Sequence, residues 1–165
     1  MIARIAILSS LLLSSGAASH SQPNMDNQTS SSIPSDVVIT LAERGCLVKI
    51  TAEGTVAFEG QTFDFDINRV RTKLSAEELK KLICEFERIN YFSLKDRYRD
   101  KEDGCPELGS PEVDTIILTS MTMNGRSKSV THFYHSCLNR DGSPYPHELA
   151  VLEKSIETVV ELERR

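Results

Sequence analysis

Two small groups of residues could do chemistry in this chain, and its four cysteines form a third set of candidates. Asp114 and His135 are an acid and a base that together could catalyse a proton transfer. Asp64, Asp66 and Asn68 stand at alternate positions, as do the first oxygen ligands of a calcium loop. The cysteines could bind a metal, act as nucleophiles or form disulfides. Which chemistry is possible depends on the elements that position these side chains.

The N-terminal segment bears on the chemistry of the cysteines. Arg4 precedes an apolar run at residues 5–13, and a stretch of small residues ends at Ser19. This order is typical of a secretory signal peptide that is cleaved near Ser19. We therefore predict that residues 1–19 are removed and that the product is secreted or periplasmic. Outside a reducing compartment, cysteines occur mainly in disulfides.

The four cysteines, Cys46, Cys84, Cys105 and Cys137, allow three pairings. We favour Cys105 with Cys137, because this bridge would tie the long charged loop at residues 95–113 to the end of a predicted hairpin. A closed loop of this size contributes roughly 3 kcal/mol. Cys46 with Cys84 is a weaker candidate pair. The chain has no Cys-x-x-Cys motif, so a thioredoxin-like redox role has little support.

The apolar periodicity predicts the first half of the domain. Strands are expected at residues 37–41, 46–51 and 55–58, with Gly54 and Gly60 in turns. Phe63, Phe65 and Ile67 alternate with polar residues and predict a further strand, which residues 70–74 could continue after a bend. Ser75 and Glu78 then form a capping box, which begins a helix.

The second half is predicted to contain a hairpin and a final helix. Asn124-Gly125 suits a two-residue type I′ turn between strands at 115–123 and 126–134, and Pro146 is well placed to open a helix. The whole pattern predicts an α+β fold, with an antiparallel sheet of about five to six strands and two helices mainly on one face. The expected order is β-β-β(-β)-α-β-β-α.

The hairpin turn also predicts a register. Counting from Asn124-Gly125, Ile117 lies opposite His132 and Asp114 lies opposite His135. His132 and His135 are three residues apart on one strand, so they point to opposite faces and cannot share one metal ion without a bulge. Asp114 and His135 share a face, but no recognisable nucleophile motif accompanies them. We interpret them as a polar pair near the sheet end and assign no catalytic residue.

The metal motifs are incomplete. The calcium-like run has Arg69 where the loop needs glycine and Ser75 where it needs a bidentate glutamate, so its acids are better explained as the solvent face of a strand. His147 lacks the second histidine of a zinc-protease helix. We expect no metal and no cofactor.

Composition defines the predicted organisation and excludes some partners. Residues 20–36 are rich in Ser and Asn and almost free of apolar side chains, which predicts a disordered arm before a single domain at residues 37–165. The formal net charge is -5, so nucleic acid is not an expected partner. After the predicted signal peptide no apolar run approaches 18 residues, so no stable membrane anchor is expected.

Several runs resemble the domain of unknown function family 6438. They are Glu53–Gly60, Leu74–Leu79, Tyr91–Tyr98, Met123–Val130 and Glu148–Glu153. The similarity spans about residues 37–160, and the order and spacing of the runs make it specific. Members of the family often carry a Cys-Phe-Gly-x-Cys-Pro element, of which this chain has only Gly45-Cys46, so no site built on that element is carried over. The resemblance implies a small exported domain, favours a bacterial source and brings no assigned activity.

Two functional hypotheses follow. The first is a non-enzymatic module that binds another protein or an envelope component, which we favour. The alternative is a hydrolase or metal-dependent enzyme with a site near Asp114, His135, Cys137 and the 95–113 loop, because long loops at sheet ends often carry function. A structural subunit of a larger assembly is a third class, which would need an extended exposed apolar patch.

Overall fold

The computed structural model describes residues 32–60 and 70–162, which belong to one compact unit. These residues form eight strands and two α-helices. In chain order they are β1 Val38–Glu43, β2 Cys46–Thr51, β3 Val56–Gly60, α1 Ala76–Arg88, β4 Arg97–Tyr98, β5 Glu107–Leu108, β6 Ile116–Met123, β7 Arg126–Phe133, β8 Cys137–Leu138 and α2 His147–Val159.

The main sheet has six strands in the order β3-β2-β1-β6-β7-β4. Its pairings are antiparallel except that β4 runs parallel to β7. β5 and β8 pair in a small second sheet. The predicted α+β class is confirmed, while the sheet is mixed rather than wholly antiparallel. The sequence did not predict β4, because the chain after α1 pairs with β7 over only two residues, too few to produce a periodic pattern.

The predicted hairpin and its register are confirmed. β6 pairs with β7 so that Met123 faces Arg126 and Ile117 faces His132. Asn124 and Gly125 have φ values of 53° and 70°, both in the left-handed region that a type I′ turn requires.

Helix α1 begins where the capping box predicts. The Ser75 hydroxyl accepts a hydrogen bond from the Glu78 N–H, and the Glu78 carboxylate accepts one from the Ser75 N–H. Both bonds satisfy donors that the first helical turn leaves open. The helix buries one apolar stripe, which consists of Leu79, Leu82, Ile83 and Phe86.

Helix α2 follows Pro146, close to the predicted start. Its buried side includes the apolar residues Leu149, Leu152 and Ile156. It also includes two acids, Glu153 and Glu157.

The core lies on one face of the main sheet. Along β1 and β2 burial alternates strictly, and the buried side chains join those of both helices in a single cluster. The side chains between them point to the opposite face, called here the outer face, where they are half-buried or exposed. The helices therefore cover one side of the sheet, as predicted, because each has one apolar stripe to bury.

Several sequence predictions have a different outcome or lie wholly or partly outside the described residues. Residues 95–113 were expected to be a loop, but they contain β4, β5 and a 3-10 turn at Pro111–Val113. Residues 70–74 form no regular strand, but Lys73 makes an isolated bridge to Thr55, with backbone hydrogen bonds from Val56 to Thr72 and from Leu74 to Gly54. The predicted strand at Phe63–Ile67 and the predicted signal peptide lie outside the described residues. The end of the predicted arm is described, and Ile33 there packs against the core.

Candidate functional site

Asp114 lies immediately before β6 and holds the chain that follows β7. Its Oδ1 accepts a hydrogen bond from the His135 N–H at 2.9 Å, and its Oδ2 accepts one from the Ser136 hydroxyl. Asp114 and His135 are thus neighbours, as the register predicts, but the carboxylate contacts the main chain of His135. The imidazole ring instead lies 5.2 Å from the Tyr134 ring, edge to face. This arrangement stabilises a turn and does not align an acid with a base.

Cys105 and Cys137 form a disulfide, which is the pairing that the sequence favoured. Both residues are buried, and the bridge closes a separation of 32 residues. The nearby Gly109 N–H donates to the Ser136 carbonyl at 3.0 Å. The disulfide and the β5–β8 pair therefore secure the end of the 95–113 segment to the chain after β7. In this state Cys137 has no thiol to offer as a nucleophile.

The weaker candidate pair, Cys46 with Cys84, is not formed. Cys46 is buried at the start of β2, whereas Cys84 is an exposed free cysteine on α1. The pairing fails because Cys84 points away from the apolar stripe by which α1 faces the core.

A buried polar network links α2 to the sheet, and it was missed by the sequence analysis. Glu153 Oε2 lies 2.9 Å from His132 Nδ1, and Glu153 Oε1 accepts a hydrogen bond from the Thr119 hydroxyl at 3.0 Å. The Tyr91 hydroxyl donates to the Thr119 carbonyl. Burial raises the pKa of Tyr91, and the Glu153 carboxylate adds to this shift.

Two signals could have revealed this network. The hairpin register placed His132 opposite the apolar Ile117, on the inner face. Glu153 follows Leu152 and precedes Ile156 by three residues, so it lies at the edge of the buried stripe of α2. Buried polar groups need partners, and each of these residues is a natural partner for the other. His132 Nε2 is also buried and has no hydrogen-bond partner among the described residues.

No group of three or more potential metal ligands occurs within residues 32–60 and 70–162. His147, the first residue of α2, is exposed. The acids of the calcium-like run, Asp64 and Asp66, lie outside the described residues. Within the part of the chain that the structure describes, no helix is both long and apolar enough to cross a membrane.

The outer face carries an apolar patch at one end of the sheet. One register row places Leu47 beside Ala42 and Ala42 beside Leu118, and the next places Ile116 opposite Phe133. We call these five residues the outer-face patch. Ile116 is 53% exposed and Leu118 is 39% exposed. Four of the five line a shallow depression of about 470 Å³ together with the β1–β2 turn.

Arginines border the patch on two sides. Arg44 lies in the β1–β2 turn with its side chain 43% exposed, and its guanidinium donates to the Thr115 hydroxyl at 3.1 Å. The guanidinium carbon of Arg99 lies 5.0 Å from the centre of the Phe133 ring. Both side chains are thus oriented at the margin of the patch by contacts within the domain.

The family model for a domain of unknown function, DUF6438, matches residues 45–160. This is most of the chain and includes every described element from β2 to α2. The chain belongs to the DUF6438 family. No curated protein and no solved structure matches it.

The DUF6438 match begins after β1, although β1 lies between β2 and β6 in the sheet. Without β1 the sheet would divide into β3-β2 and β6-β7-β4, because β2 and β6 are not neighbours. A DUF6438 domain with the fold of this chain therefore has to include residues 38–43.

Proposed function

We propose that this DUF6438 chain is an exported, non-enzymatic binding module that contacts a protein of the envelope or the extracellular space. The proposal rests on the outer-face patch. Soluble chains commonly expose single apolar side chains, but contiguous exposed apolar side chains are typical of binding surfaces. Here Ile116 and Leu118 are exposed together on one strand, next to Phe133.

Two observations support export. The first 19 residues have the order of a signal peptide, with Arg4, an apolar run and small residues. The Cys105–Cys137 disulfide is the kind of bond that persists in oxidising compartments. Secretion or a periplasmic location is therefore part of the proposal.

The enzyme alternative gains no specific support from its own residues. Asp114 binds the main chain of His135 and the Ser136 hydroxyl, and Cys137 is joined to Cys105. These contacts stabilise the conformation of the segment that follows β7. The binding hypothesis is therefore the one we carry forward.

Photo-crosslinking in the producing cells tests the proposal. A benzoylphenylalanine at position 118 reports on the patch, and one at position 151 is the matched control, because Val151 is 40% exposed on α2. We expect a discrete protein adduct from position 118 and none from position 151. The adduct protein, identified and purified, should bind the wild-type chain and bind the Leu118→Thr variant less well.

Two outcomes would overturn this function. Adducts of equal yield from both positions, or from neither, would show that the patch does not select a partner. Undiminished binding to Leu118→Thr would show that the patch is not the contact. The same samples report export, since cleavage near Ser19 leaves His20 as the N-terminus.

A further inference from the structure

We propose that the outer-face patch binds a protein segment in which an aliphatic or aromatic side chain is flanked by carboxylates. This inference rests on the proposed function and specifies the chemistry of its partner.

The apolar centre has the width of one or two side chains. Leu47, Ala42 and Leu118 are register neighbours on three adjacent strands, so the row spans two strand spacings, about 10 Å. Ala42, the middle member, has the shortest side chain, which leaves a shallow hollow between two leucines. Ile116 and Phe133 extend the apolar surface along the strands. An inserted aliphatic or aromatic side chain would contact apolar atoms on each side.

The exposed charges that border this centre are mainly positive. Arg44 and Arg99 border it, and Lys49 is exposed on β2 two residues from Leu47. Two acids lie nearby: Glu43, whose buried carboxylate is 3.6 Å from Arg44 Nε, and Glu59, which pairs with Leu47 at the β3 edge. Arg97 lies on the same register row as Leu118, at the β4 edge, and its Nε is paired with Asp103 Oδ2 at 2.9 Å. A partner with carboxylates on either side of its apolar residue would find guanidinium groups within reach.

Two other occupants are disfavoured, each for its own reason. A second copy placed patch to patch would bring the arginines of both copies together, which costs free energy between like charges. An anionic lipid surface would contact the rest of the outer face as well as the patch. The outer face beyond the patch also carries paired hydroxyls, Ser120 with Ser129 and Thr122 with Ser127, each pair 2.9 Å apart. These are polar groups that do not favour insertion into lipid.

Selection from a random displayed dodecapeptide library tests the inference on the purified full chain. We expect enriched peptides to share one aliphatic or aromatic residue between acidic residues. A synthetic copy of an enriched peptide should bind with an affinity that falls as salt rises. The Ile116→Thr/Leu118→Thr variant should weaken it about tenfold, and Arg44→Gln/Arg99→Gln by a comparable factor.

Matched controls separate these effects from loss of folding. Val151→Thr changes an exposed apolar residue on α2, and Arg88→Gln removes an exposed arginine from α1. Both should leave peptide affinity unchanged. The circular dichroism spectra and urea midpoints of all variants should stay close to those of the wild type, since each substituted side chain is wholly or partly exposed.

The outcomes distinguish this inference from the proposed function. Enriched peptides could lack acidic residues and bind Arg44→Gln/Arg99→Gln as well as the wild type, while losing affinity for Ile116→Thr/Leu118→Thr. That result would overturn the acidic partner and would leave the proposed binding function intact. If no peptide is enriched, or if neither double variant changes the affinity of the enriched peptides, both the acidic partner and the proposed binding function are overturned. Patch-dependent binding to vesicles of anionic phospholipid, without peptide enrichment, would replace the protein partner with a membrane.

Discussion

Glu153 joins α2 to two strands of the sheet by polar contacts. Its carboxylate lies against His132 of β7 and accepts a hydrogen bond from Thr119 of β6, with all three side chains buried. Such a network is favourable only while each member has its partners, because a buried polar atom without one costs about 1–3 kcal/mol. The network therefore specifies how α2 sits on the sheet more than it adds to stability.

We expect Glu153→Ala to lower the free energy of unfolding by about 3 kcal/mol, because it leaves the Thr119 hydroxyl and His132 Nδ1 without their partner. Urea unfolding followed by circular dichroism measures the change. Glu148→Ala, at an exposed position in the first turn of the same helix, should cost less than about 1 kcal/mol. Equal losses in the two variants would contradict the role of the network.

At the scale of elements, the hairpin turn between β6 and β7 is anchored to the segment that enters β1. Asp36 accepts hydrogen bonds from the Asn124 N–H at 3.0 Å and from the Gly125 N–H at 2.6 Å. These two bonds lower the pKa of Asp36 from its ordinary value of 3.8. The turn is thus hydrogen-bonded to Asp36, which lies 88 residues before Asn124 and just before β1.

This anchor predicts a pH dependence of stability. Because folding lowers the pKa of Asp36, its charged form stabilises the fold at and above neutral pH. This contribution is lost as the pH falls through the folded-state pKa, which lies below the ordinary value of 3.8. Asp36→Asn should therefore be less stable than the wild type at pH 7, and the difference should shrink under acid conditions.

Urea midpoints of both proteins across this pH range measure the effect. Ser35→Ala changes an exposed, non-titrating neighbour in the same turn and serves as the control. A difference between Asp36→Asn and the wild type that stays constant down to acid pH would refute the anchor.

At the scale of the whole molecule, the Cys105–Cys137 disulfide secures the long segment between α1 and β6. That segment contributes β4 to the edge of the main sheet and β5 to the second sheet. Strands of two residues bury little surface and make few hydrogen bonds, so they depend on being held in place.

We expect Cys105→Ala/Cys137→Ala to lose about 3 to 4 kcal/mol of unfolding free energy, because the bridge closes a loop of 32 residues in the unfolded chain. Equilibrium urea unfolding under non-reducing conditions measures this loss. Cys84→Ala, which replaces an exposed free cysteine, is the matched control and should change stability little. Peptide mapping that found Cys105 as a free thiol in the native protein would contradict the pairing itself.

Local patterns were sufficient for the main helices and for the central hairpin. Ser75 and Glu78 satisfy each other's backbone donors within one turn, and Asn124-Gly125 adopts the two left-handed conformations that its turn requires. From that turn, counting residues was enough to place His132 opposite Ile117.

The amino-acid sequence by itself therefore determined the α+β class, the β6–β7 register and the family, since each depends on neighbours in the chain or on a run of local motifs. Only the tertiary structure decided that β4 runs parallel to β7, that Glu153 binds His132, and that Ile116, Leu118 and Leu47 meet on the face opposite α1 and α2. These contacts join residues far apart in sequence. A linear pattern records which way a side chain faces, whereas its partner depends on which elements the fold places beside it.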